Sequence, residues 1–157
     1  MEIERKWLVK SLPDISKCKK VVYERHILYS DEKIEVRITK KDNVFLFERK
    51  VTINETSRDN NIFEITEAEY EFFRGFAKYS LERDGYNFSD NPKLSIKVYK
   101  GKYGGLNRVE VEFDTEENAK KYVPLKWFGK EITGTALAND KKLVTLSVEE
   151  LKKLLSE

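Results

Sequence analysis

The chain is 157 residues long and carries 30 basic against 28 acidic side chains, a formal charge of +2. Charged residues make up 37% of it and hydrophobic ones 39%, and its 9 Phe, 8 Tyr and 2 Trp are enough for a core, so intrinsic disorder is excluded. One cysteine, Cys18, and one histidine, His26, exclude an internal disulfide, a thiolate zinc cage and a multi-histidine metal centre, leaving the chemistry to carboxylates, ammonium groups and guanidinium groups.

The dominant pattern is period-2 alternation, the mark of strands with two different faces. Residues 2–9 put Glu2, Glu4 and Lys6 on one face and Ile3 and Trp7 on the other, with Arg5 breaking the apolar set. Strands are expected next at 22–29, 34–40 and 44–52, with Lys41-Asp42-Asn43 as the turn between the last two, and then at 62–66. Thr66 with Glu69 three residues on is a capping box, followed by Tyr70, Phe73, Phe76 and Ala77 at helical spacing. Strands are expected again at 81–88, at 94–100 and, after Gly104-Gly105, at 108–113, where Arg108, Glu110 and Glu112 oppose Val109, Val111 and Phe113. Thr115 ahead of Glu116 and Glu117 opens a short helix that ends by Pro124, and Ser147 with Glu150 repeats the box ahead of Leu151, Leu154 and Leu155. With no repeat, linker or low-complexity tract, residues 1–157 read as one α+β domain of about eight strands and three helices on an antiparallel sheet.

The polar faces carry Glu2, Glu4, Lys6, Arg37, Lys50, Glu64, Lys97, Arg108, Glu110 and Glu112. On an open sheet they form a solvated surface with cross-strand ion pairs worth about 0.2–1 kcal/mol each. On a sheet closed into a barrel they point inward, and about eight strands enclose room for a small ligand. The pairs Glu2/Glu4 and Glu110/Glu112 each set two carboxylates on one side of a strand, about 6.5–7 Å apart. A hard divalent cation takes such oxygens together with substrate phosphates, and the bases suit a polyanion, so a lumen of both signs suits a metal-bridged polyphosphate. No Gly-rich loop opens a helix, so phosphate binding of the P-loop kind is excluded.

The opening Glu2-Ile3-Glu4-Arg5-Lys6-Trp7-Leu8-Val9 resembles the E-x-E-x-K motif of the CYTH superfamily, the triphosphate tunnel metalloenzymes. Further matches follow in order at Val36-Arg37-Ile38, Lys50, Phe63-Glu64, Gly105-Leu106, Val109-Glu110-Val111-Glu112-Phe113 and 127–134, so the resemblance runs to about residue 145. It implies an eight-stranded antiparallel closed β-barrel with helices packed outside. Glu2, Glu4, Glu64, Glu110 and Glu112 would be ligands of Mg²⁺ or Mn²⁺, and Lys6, Arg37, Lys50, Arg83, Lys97 and Arg108 would hold a triphosphate, with Glu4 and Lys6 at the chemistry. The pattern also departs from the family's. The second arginine of R-x-R is Thr39, the R-x-E-x-E stretch is read on Asn60 and Glu64 with Arg58 out of register, and the K-x-R-Y strand is Arg83-Asp84-Gly85-Tyr86 with a glycine for the arginine.

The expected activity is metal-dependent hydrolysis of inorganic triphosphate or a small organic triphosphate. The alternatives are a nucleotide- or polyphosphate-binding module without turnover, motivated by the missing charges, and a class IV adenylyl cyclase. No window approaches about 18 apolar residues and Met1–Lys6 has no apolar stretch, so the expected setting is the cytoplasm without a membrane partner, as a monomer or homodimer. A charge of +2 gives little drive toward nucleic acid. His26 reads as a surface or packed imidazole before a base, Cys18 as an incidental surface thiol, and Tyr99 and Tyr103 either as packing residues or as platforms for a base or thiazole ring.

Overall fold

A strand with one charged and one apolar face needs a different environment on each side, and a closed barrel supplies both. In the computed structural model, which describes residues 1–157, the expected strands appear as β1 (Glu2–Val9), β2 (Lys20–Ser30), β3 (Ile34–Lys41), β4 (Val44–Thr52), β5 (Ser57–Ile65), β6 (Tyr79–Asp90), β7 (Lys93–Tyr99) and β8 (Asn107–Glu112). A ninth, β9 (Phe128–Glu131), was not expected. The strands run β5-β4-β3-β2-β6-β7-β8-β1-β9, and β1 also pairs with β5. That pairing, Glu2 opposite Arg58 and Ile3 opposite Ser57, closes eight antiparallel strands into a barrel. The edge of β1 is thus divided: its first residues close the ring, and Trp7 and Val9 pair with Glu131 and Phe128 of β9. The open-sheet reading of the charged faces is excluded.

Alternation turns the apolar faces outward. Trp7, Leu94, Ile96, Val109 and Val111 form a cluster with Phe128, which β9 lays over them. Arg5 belongs to this outer face, its guanidinium 4.8 Å from the centre of the Trp7 ring and 2.6 Å from Glu131, so the residue that broke the pattern ties β9 down. Helix α1 (Glu67–Arg74) starts at the Thr66–Glu69 box and sets Tyr70 against Ile38 and Ile65. Phe76, expected on its apolar stripe, lies past the end of the helix and is 66% exposed. Helix α2 (Glu116–Lys121) is capped by Thr115. His26 is packed beneath α1, bonded to Ser80 and Glu24 and edge-on to Tyr70.

After β9 the chain forms a 3₁₀ turn at 136–138, then α3 (Asp140–Leu143) and α4 (Val148–Ser156), the last opened by the Ser147–Glu150 box. Leu137, Ala138, Leu143, Val144 and Leu151 meet Ile27, Leu81, Tyr99, Tyr103 and Leu106 in the largest core cluster. Ile27, Leu81, Tyr99 and Leu106 are the inward positions next along the strands after Arg25, Arg83, Lys97 and Arg108. The lumen lining therefore changes from charged to apolar, and the C-terminal segment closes that end. Tyr99 and Tyr103 are core residues. No helix is long and apolar enough to cross a membrane.

Candidate active site

The barrel encloses a cavity of about 500 Å³, lined by 27 residues. Eleven of these are basic and seven acidic, an excess of four cations in a chain whose whole net charge is +2. Three of the bases, Lys19, Lys41 and Lys93, are exposed at the rim, while the others stand deeper among the seven carboxylates. The lumen thus holds charges of both signs, with the positive excess toward its mouth, where it draws an anion in.

One wall is acidic. Glu4 pairs with Glu112 across the β1–β8 ladder and Lys6 with Glu110, so these side chains stand on one side of adjacent strands. Glu4 accepts from Arg58 at 2.9 Å and meets the Lys6 ammonium at 3.1 Å. Lys6 also donates to the Ala138 carbonyl at 2.8 Å. Burial pulls its pKa down to about 8 against the pull of Glu4 and Glu110. Glu110 receives the Arg108 guanidinium at 2.7 and 2.8 Å, and despite burial Lys6, Arg108, Lys97 and Arg83 hold its carboxyl well below the usual range. Half-buried Glu112 is pushed up instead, by burial and by Glu4, Glu2 and Glu110, with the Lys93 ammonium 3.7 Å away. No three carboxylates stand close enough to cage an ion unaided. The donor set still fits Mg²⁺ or Mn²⁺, which use one or two carboxylates and take the rest from phosphate and water, and the crowding felt by Glu112 is what a cation relieves.

Bases line the rest of the lumen, and Arg37, Lys50 and Arg83 are already engaged by polar partners. Glu48 and Glu35 hold Arg37 at 2.8 and 2.9 Å, and Lys50 donates to Glu2 at 2.8 Å. Arg83 donates to the Tyr99 hydroxyl at 2.9 Å and lies 3.6 Å from Glu110. The Lys97 ammonium sits 4.8 Å from the centre of the Tyr23 ring. Burial first, then Arg83, Arg25 and Arg108, bring its pKa down to about 7 despite Glu110.

Of the residues singled out from sequence, Glu2, Glu4, Lys6, Arg37, Lys50, Arg83, Lys97, Arg108, Glu110 and Glu112 line this one cavity. Glu64 does not: it is exposed and absent from the lining. It pairs with Leu46, six residues along β5 from Arg58, the partner of Glu2. The register of β5 also corrects the reading of Arg58. It stands opposite Glu2, so Arg58, Asn60 and Ile62 are the inward positions and both acids of the R-x-E-x-E pattern are missing.

Four buried charged residues of the lining escaped the sequence reading: Arg25, Glu35, Glu48 and Asp140. The first three were accessible to it, since Glu35 and Glu48 lie two residues before Arg37 and Lys50 and share their faces. Asp140 carried no signal, because it reaches the lumen from a four-residue helix outside the barrel.

No family model matches the chain. The inorganic triphosphatase of Nitrosomonas europaea is 27% identical over 135 residues, covering 84% of this chain and 89% of that protein. A solved inorganic triphosphatase superposes with a TM-score of 0.68 at 25% identity, over 92% of this chain and 97% of the other. A putative adenylate cyclase from Bacillus halodurans reaches 0.58 at 16% identity over 80% and 94%, a likeness of fold alone.

Proposed function

We propose, for a chain whose closed barrel is a triphosphate tunnel domain of the CYTH superfamily, that the tunnel hydrolyses a terminal phosphoanhydride bond of a small triphosphate, inorganic triphosphate first among them. The observation that carries this reading is the lumen itself: Lys6, Arg37, Lys50, Arg58, Lys97 and Arg108 share one cavity with the carboxylates of Glu2, Glu4, Glu110 and Glu112. The kinship with an inorganic triphosphatase over 84% of the chain supports it.

The ion pairs of the tunnel suggest how it loads. Glu2 and Glu4 hold Lys50 and Arg58. These carboxylates, with Glu112, would hold Mg²⁺ or Mn²⁺, and Lys50 and Arg58 would then be free to meet phosphate oxygens. A cation held there would supply charge neutralisation of the phosphoryl oxygens and acidification of water. Lys6, fixed between Glu4, Glu110 and the Ala138 carbonyl, is aimed at charge developing on the transferring group. Water forms the new P–O bond as the anhydride P–O bond breaks, and its proton passes to the departing phosphate. Arg37, Arg83, Lys97 and Arg108 hold the remaining phosphates. We place the reaction in the cytoplasm, where Cys18 stays a thiol, and on a small molecule, because the positive charge faces the lumen rather than the outer surface.

The test is phosphate release from inorganic triphosphate and nucleoside triphosphates with Mg²⁺ or Mn²⁺, with cyclic nucleotide measured in the same reactions. Metal-dependent release abolished by Glu4→Gln is expected; release without metal, or cyclic product alone, refutes the reading. One observation favours a second one: Arg37 is fully engaged by Glu35 and Glu48. With that guanidinium neutralised, the tunnel can bind a triphosphate without turning it over, and tight calorimetric binding with no phosphate release would establish that module.

A further inference from the structure

At the blind end of the tunnel one carboxylate meets three guanidinium groups. Asp140 is 4% exposed and projects from α3, outside the barrel. Its Oδ2 accepts from Arg25 Nη1 at 2.7 Å and lies 3.5 Å from Arg83 Nη1. Its Oδ1 accepts from the Tyr99 hydroxyl at 2.6 Å and from Arg108 Nη1 at 3.3 Å. The three arginines come from β2, β6 and β8 and are buried, and guanidinium groups stay charged in proteins, so none can shed its charge to escape the others. Such a convergence of forked donors, with a hydroxyl among them, is an anion seat of the kind that takes a phosphate group. Here the anion is part of the chain.

We infer that Asp140 is a built-in anion: its carboxylate fills the seat formed by Arg25, Arg83, Arg108 and Tyr99, and so fixes where an incoming phosphate chain must stop. Below the seat lie Ile27, Leu81, Leu106 and the C-terminal core, which no anion can enter. Above it lie Lys97, Lys6 and the acidic wall. A phosphate chain entering from the mouth meets the Asp140 charge before it reaches the floor, and repulsion ends the binding site there. The tunnel therefore selects a short chain over a longer one. This consequence for chain length rests on the triphosphatase reading; the anion seat does not.

Asp140→Asn tests both. The amide keeps the shape and one acceptor but removes the charge, leaving Arg25 without its close counter-ion and Arg83 and Arg108 to share Glu110. Thermal unfolding of the purified chain, with and without millimolar inorganic phosphate, is expected to show the variant stabilised by phosphate by several degrees more than the parent, because an anion that binds the folded state raises its stability. Asp140→Glu, which keeps the charge, is expected to behave as the parent. Equal phosphate stabilisation of Asp140→Asn and the parent overturns the seat. If Asp140→Asn does not fold by itself, refolding it from denaturant with phosphate present is the same test: recovery upholds the seat, and no recovery overturns it. The ratio of kcat/KM for inorganic tetraphosphate to that for triphosphate is expected to rise about tenfold in the variant, and an unchanged ratio overturns the chain-length stop. A parent chain that hydrolyses neither compound sinks the triphosphatase reading, while the phosphate-stability measurement still decides the seat.

Discussion

Arg25 and Thr39 face each other across the β2–β3 ladder, and Arg25 Nε–H donates to the Thr39 hydroxyl at 3.2 Å. Position 39 is where the second arginine of an R-x-R pair would start, and the guanidinium reaches the same stretch of lumen from the opposite strand. Gly85 and Lys97 are related in the same way across β6–β7. A Cβ at Gly85 would lie 3.2 Å from the Lys97 ammonium and 2.8 Å from the Tyr23 ring, so the space of a missing arginine is already filled. Two cations that looked lost along the chain are present on the neighbouring strand.

The first prediction follows from that pairing. Arg25→Thr is expected to raise the KM for triphosphate about tenfold, because it removes a cation from the lumen that receives the polyanion. The transposed double variant Arg25→Thr/Thr39→Arg is expected to recover most of the loss. Steady-state kinetics on the three proteins check it, and a double variant no better than the single one contradicts the exchange.

Two lysines set a pH dependence. Burial lowers Lys97 to about 7 and Lys6 to about 8, so both lose their charge as pH rises through that range. Metal-free affinity for triphosphate is expected to fall between pH 7 and 9, and Lys97→Met to lose the part of the fall nearest pH 7. Stability moves the opposite way. A lysine whose folded pKa lies below its unfolded value costs stability while it is protonated in both states, below about 7, and the cost is relieved as pH climbs from there toward the unfolded value of 10.5. Lys97→Met is therefore expected to be more stable than the parent at pH 6, by a margin that narrows toward pH 10 in parallel denaturation curves.

Two glutamates that look alike along the chain are expected to differ. Glu4→Gln removes the carboxylate between Lys6 and Arg58 and should lower metal-dependent kcat by about 100-fold or more. Glu64→Gln, outside the lumen, should leave activity within about twofold. Metal titrations of both variants check the assignment; a large effect at Glu64 would contradict it.

The apolar floor has its own signature. Leu143 is fully buried in the cluster that closes the barrel, and Leu143→Ala is expected to cost about 2–5 kcal/mol of unfolding free energy. Denaturant titration should show a lower midpoint with an unchanged slope.

The strands were legible because one periodicity places both a strand's existence and its two faces. Residues 2–9 and 44–52 were bounded correctly from alternation alone, and both capping boxes opened helices where Thr66 and Ser147 stand. β9 was missed because four residues, Phe128–Glu131, are too few to show alternation, and its place on the β1 edge depends on Arg5 reaching Glu131. Arg58 was set out of register because a count along the chain cannot show which strand position β5 offers to Glu2; the two-residue closing pairing decides that.

By itself, then, the amino-acid sequence determined the strands, the chemistry of each face and ten of the charged groups that meet in the lumen, because side-chain direction in a strand is a local property with a period of two. Whether those faces look outward or inward was decided by Glu2 and Ile3 pairing with Arg58 and Ser57, a contact between residues more than fifty positions apart. So were the exchange of Arg25 for an arginine at 39 and the arrival of Asp140 at the blind end, since ladder register and the docking of a C-terminal segment are long-range consequences of burying apolar surface.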